Sequence, residues 1–167
     1  MRVYLPATLA MIVDLTAGDD GFTPVGGTGF AVTPSLREAY TSGDDEELGE
    51  VALREAARAS LRLLSSEDTG DAPLPARRVV VVADADATVR PDLDDAVVRL
   101  SAPVAVGDIV AVHIDGAAAE PAVVAAVAAV DAADLGDEDA ELTIGDVEDH
   151  DLGWYATQEL PFLLELL

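Results

Sequence analysis

RRVVVVAD (residues 77–84) places four consecutive valines between a pair of arginines and an aspartate. β-Branched side chains fit a pleated sheet, so the stretch reads as a β-strand. It is apolar at every position rather than at alternate ones. Both of its faces must therefore be covered, as in a central strand with helices above and below.

Shorter strands are expected on either side. RVYL opens the chain, and Pro6 suits the first turn of a helix running to about Ala17. FAVT is a second strand, again followed by a proline, Pro34, where a helix would begin. Two strand–proline–helix units within 40 residues point to βα units. SGDDEEL offers helix caps at Ser42 or Asp44 and places carboxylates at the positive end of the helix dipole. A long helix from about Asp45 to Leu64 should bury Leu48, Ala52, Ala56, Ala59 and Leu63. VVRL and DIVAVHID are further strands, and Ala117–Ala133 is an Ala/Val-rich helix. DLGDEDAELTIGDVEDHD is expected to be an acidic loop with a short strand at ELTI. LGWYA should be a strand and TQELPFLLELL a closing helix. The fold expected is α/β, with α+β as the alternative: one domain, residues 1–167, with a mixed β-sheet and helices packed on its faces. Flexible loops are expected near 18–29 and 65–75.

Seven aromatic residues serve the whole chain, and Trp154 is the only tryptophan. In a core of Val, Leu and Ala, one large ring can fill space that small side chains leave open. Trp154 is therefore expected to be a core anchor for the terminal helix, with ligand stacking as the alternative.

Asp and Glu number 33 against nine basic residues, all arginine, giving a net charge of −24. Lysine and asparagine are absent, which a high-GC genome explains in part. Such a charge repels nucleic-acid phosphates and anionic membranes, so neither is expected as a partner. With no cysteine, disulfides, thiolate metal sites and a cysteine nucleophile are excluded. Pro6 and Asp14 interrupt the apolar N-terminal run, so no signal peptide is read there, and a cytoplasmic location is expected.

One group carries the clearest chemical potential. In VAVHID, His113 and Asp115 alternate onto one face, and in VVVVADAD, Asp84 and Asp86 do the same. If the two strands are parallel neighbours, all four gather at one carboxyl edge, where open α/β sheets bind ligands. An imidazole beside carboxylates could act as acid or base, or the group could assist a metal. The plainer reading is that strand-end aspartates make turns and cap helices. Arg54, Arg58 and Arg62 form a second candidate, an anion-binding stripe at four-residue spacing. Pairing with the chain's own carboxylates is the simpler account of it. Arg77 and Arg78 read as flanking surface charges, and His150 as a solvated histidine among acids. Asp137, Asp139, Glu141 and Glu148 fall at EF-hand positions one, three, five and twelve, but Leu142 stands where that loop needs glycine. No resident metal or cofactor is expected, and the usual phosphate-loop and hydrolase motifs are missing.

RVYLPAT, FAVTPSLREAY, EAARASLRLL, AVHID, DLGDEDAE and WYATQEL together resemble a family of uncharacterised proteins from high-GC actinomycete bacteria. The resemblance spans nearly the whole chain and implies a bacterial, cytoplasmic protein. It brings no activity and no residue roles. The function expected is that of a small acidic accessory protein acting by binding a protein partner or itself as a homodimer, rather than an enzyme. A small-ligand or metal-assisted enzyme using the His/Asp group is the alternative.

Overall fold

The computed structural model describes residues 1–18, 20–68, 70 and 73–167. The valine run forms strand β3 (Val79–Asp84), and Val79 to Ala83 are all buried. Val79, Val81 and Ala83 face one layer and Val80 and Val82 the other, so the strand is covered on both sides as its composition demands. Its neighbours are β1 (Arg2–Ala7) and β6 (Ile109–Ile114). With β2 (Thr28–Phe30), β4 (Thr88–Val89), β5 (Val97–Arg99) and β7 (Gly153–Tyr155) they make a seven-stranded sheet ordered β4-β5-β2-β1-β3-β6-β7. Every pairing is antiparallel. The single-domain expectation of a sheet with helices on its faces is met, in its α+β form, with a wholly antiparallel sheet where a mixed one was expected.

Helix α1 (Leu9–Ala17) covers one face through Leu9, Ile12 and Leu15. It starts later than Pro6 suggests: Thr8 is the cap, its hydroxyl accepting from the Met11 amide. Pro6 instead lies in β1, beyond the point where β2 pairs with Tyr4, so a missing N–H is tolerated there. Helix α6 (Leu160–Glu165) joins α1 on this face through Leu160, Leu163 and Leu164. Thr33 caps the short α2 (Pro34–Ala39), with Pro34 in its first turn as expected.

Helix α3 (Asp45–Ser66) covers the other face. Asp44 caps it, accepting from the Glu47 amide at 2.9 Å, and three acids fill its first turn. Leu48, Ala52 and Ala56 are buried as the periodicity requires, but the stripe then turns to Ser60 and Leu61 instead of Ala59 and Leu63. The reason is a second layer on α3. Helices α4 (Glu120–Asp134) and α5 (Glu138–Glu148) form a hairpin that packs on α3, with Leu61, Val123, Val130, Ile144 and Val147 in its core.

Helix α5 replaces the expected acidic loop. Asp137 caps it, accepting from the Ala140 amide at 2.9 Å, and Glu138, Asp139 and Glu141 suit its first turn. Ala140, Ile144 and Val147, at spacings of four and three, form its buried stripe. Residue 19 of the loop expected at 18–29 lies outside the described residues; within that stretch Phe22 is buried and bridges to Val104. Part of the loop expected near 65–75 lies outside the described residues. Among those described, no helix is long and apolar enough to cross a membrane.

Ser60 knits the layers together. Its hydroxyl donates to the Ala7 carbonyl at 2.7 Å and accepts from the Val79 amide at 3.1 Å, tying α3 to the end of β1 and the start of β3. Ser60→Ala leaves both backbone groups without that partner in a fully buried place. It should lower the unfolding free energy by about 1–3 kcal/mol, read by denaturant titration.

Candidate functional site

The proposed rim of four side chains does not assemble. β3 and β6 are neighbours, but they run antiparallel, with Val80 opposite His113 and Val79 opposite Ile114. Asp84 therefore stands at the other end of β3, roughly 14 Å along the strand from His113 and roughly 20 Å from Asp115. There it accepts from Arg2 Nε at 2.9 Å, which holds its carboxyl below the ordinary aspartate range. Asp86 lies farther along and is exposed. The physical reason is connectivity. Parallel neighbours need a crossover, usually helical, whereas residues 85–108 contain two short strands.

Asp115 and Arg78 correct the reading in opposite senses. Arg78 is 2% exposed and Asp115 0%, so neither is a surface charge. Arg78 Nε donates to Asp115 Oδ2 and Nη2 to Oδ1, both at 2.8 Å, a two-pronged pair. The Arg78 amide also donates to Oδ2 at 2.8 Å, and Nη2 reaches the His150 carbonyl at 2.8 Å. Both Asp115 oxygens are thus engaged, and its role is to neutralise Arg78. Arg77, also buried, pairs with Glu120 at 3.1 Å.

A different site forms above this pair. Glu50, Leu53, Arg54 and Ala57 of α3, Arg78, His113 of β6, and Glu148, His150, Asp151 and Leu152 line a cleft of about 350 Å³. Both histidines of the chain meet there. Burial lowers the His113 pKa below the usual imidazole value, against a weaker pull upward from the negative charge of Glu50. Its ring is therefore neutral at pH 7 and able both to donate and to accept a hydrogen bond.

Trp154 pairs across the sheet with His113, which places both side chains on one face. It is 60% exposed, so it is not the core anchor expected. β7 is an outermost strand, and the packing is carried by its neighbours instead. Leu152 joins the layer under α3, and Tyr155 joins the layer under α1 and α6.

The arginine stripe divides. Arg58 donates to Asp134 at 3.0 Å and to Glu141 at 2.7 Å, and Arg62 to Asp134 at 2.7 Å. Hydrogen bonds from Arg62 and then Arg58 hold the Asp134 carboxyl below its ordinary range. The partners are carboxylates of the α4–α5 hairpin. Arg54 forms no ion pair among the described residues and faces the cleft. Sequence reasoning missed Glu50, Glu148, His150 and Asp151. Recognising α5 as a helix would have placed Glu148 and His150 together at its end.

The EF-hand spacing is a coincidence of a capped helix, since Asp139, Glu141 and Glu148 lie within α5. Among the described residues, no group of three or more His, Asp or Glu side chains is placed to hold a metal ion. A second hollow, of about 270 Å³, lies among Leu9, Leu64, Leu74 and Val127 and is largely apolar. Glu67 on its wall is held by the Thr8 hydroxyl at 2.7 Å.

These placements separate the candidate acids by stability. Asp115→Ala strands a buried guanidinium and should cost about 3–5 kcal/mol. Asp84→Ala, at an exposed pair, should leave stability nearly unchanged. Chemical denaturation of the two variants checks the contrast, and equal losses would contradict it.

No curated protein and no solved structure matches this chain. A model of a protein family matches residues 1–164, nearly the entire length. The chain belongs to that family, a family of unknown function, DUF6912.

Proposed function

We propose that the protein acts by binding, as a small acidic accessory protein of an actinomycete cytoplasm whose partner is a basic protein. The observation that carries this reading is where the positive charge goes. Among the described residues, Arg2, Arg37, Arg58, Arg62, Arg77, Arg78 and Arg90 are all ion-paired with the chain's own carboxylates. Little cationic surface is left, so an approaching molecule meets the field of the unpaired acids behind a net charge of −24.

Such a field accelerates encounter with a basic surface and repels phosphate-rich polymers and anionic lipid. It also repels a second copy of the chain, which makes a basic heterologous partner a better fit than a homodimer. A second reading, a small-ligand or enzyme site, is favoured by the convergence of both histidines on one cleft. It draws on His113, His150 and Arg54 and leaves out Asp84 and Asp86. The binding reading ranks first because the cleft's carboxylates outnumber its one unpaired cation.

Affinity capture at low salt, followed by calorimetry on the isolated pair, tests the proposal. The expected partner is basic, and its affinity should fall by about tenfold or more between roughly 50 and 300 mM salt as screening shortens the range of the field. Failure to recover any saturable partner, or an affinity indifferent to salt, would overturn it.

A further inference from the structure

We infer that the partner docks an extended basic segment along the outer edge of β7, with one lysine or arginine side chain entering the His113/His150 cleft past Trp154. This rests on the basic-partner reading above and adds the place and the mode.

The edge itself is the first argument. A sheet edge presents unpaired N–H and C=O groups, and proteins usually blunt it with charge or proline. The opposite edge, β4, is two residues long and is followed at once by Arg90 and Pro91. β7 carries Gly153, Trp154 and Tyr155, with no charge and no proline. The net charge of −24 discourages two copies from joining through it, while a basic strand is attracted. An extended peptide can add to such an edge through main-chain hydrogen bonds, with alternate side chains supplying specificity.

The cleft supplies that specificity. A side chain on the same face as His113 and Trp154 would lie beside an opening lined by Glu50, Glu148 and Asp151. Arg78 adds no free positive charge there, because Asp115 neutralises it, and the His113 ring is uncharged. Arg54 alone opposes three carboxylates. A volume of about 350 Å³ lies near the lower limit for ligand clefts, enough for one long side chain and its water but cramped for a cofactor. Trp154, 60% exposed and cross-strand from His113, is a ring on which an aliphatic stem or a cation could rest. A large exposed aromatic beside complementary charge is also the usual composition of an interface hot spot.

Trp154 is the only tryptophan, so its emission, excited selectively over that of the three tyrosines, reports on this site alone. The probe is a blocked pentapeptide alternating valine and arginine, set against the same peptide with glutamate. The arginine peptide should shift the emission saturably and the glutamate peptide should not. Glu148→Gln with Asp151→Asn should weaken binding at least tenfold. Asp86→Asn with Asp108→Asn removes the same charge near the opposite end of β3 and β6 and should leave binding within about twofold. Circular dichroism of both double variants establishes that they fold. Equal weakening by the two pairs would overturn the location while leaving a basic partner in place. No binding of any basic peptide, by emission or calorimetry, would overturn the location and the reading beneath it. Saturation by inorganic phosphate would make the cleft an anion site and overturn the proposal, as would a dimer that buries Trp154.

Discussion

A guanidinium and a carboxylate facing one another in the interior join three parts of this molecule. Arg78 immediately precedes the central strand, Asp115 follows β6, and the His150 carbonyl belongs to the turn that leads into β7. Taking both charges out of water is costly, and only near-ideal geometry repays it. Here two parallel side-chain bonds, a backbone amide and a carbonyl supply that geometry. The pair forms the floor of the cleft, and residues 150–155 are positioned by it. Without Asp115, Arg78 would be an unpaired buried cation, and the excess of acids over cations in the cleft would shrink.

Electrostatics also organise the outer layer. The α4–α5 hairpin adds its own apolar core to α3 and is secured at the margin by Arg58 and Arg62 acting on Asp134 and Glu141. Exposed pairs of this kind contribute modestly one by one, and shared carboxylates make them a small network. Their wider effect is to consume positive charge. A chain with few cations, most of them paired with its own carboxylates, presents acids to its surroundings, and the one cleft that gathers histidines is also dominated by carboxylates.

Much of the architecture was legible from residues alone. The valine run declared a central strand because only a doubly covered strand can be apolar at every position. Asp44 and the acids after it marked the start of α3, and Pro34 that of α2. Strand direction was not legible. Alternation reports which face a side chain takes, not whether its neighbour runs the same way, and that difference dispersed Asp84 and Asp86 from His113. The absence of a helical signal between residues 85 and 108 was the available clue. Helix α5 was masked by its acidity, although the 140/144/147 stripe was present. The burial of Arg78 and the exposure of Trp154 depend on sheet order, which local patterns do not encode. The cleft combines residues from α3, β6 and the α5–β7 turn, so it could be seen only once the fold was assembled.

Amide hydrogen exchange on the native protein and on Asp115→Asn tests most directly whether the buried pair holds this end of the sheet. The account predicts that the variant loses protection together at residues 150–155 and at the start of β3, while the α4–α5 hairpin keeps its own. Unchanged protection across β7 in the variant would show that the cleft stands without the pair, and would contradict the account.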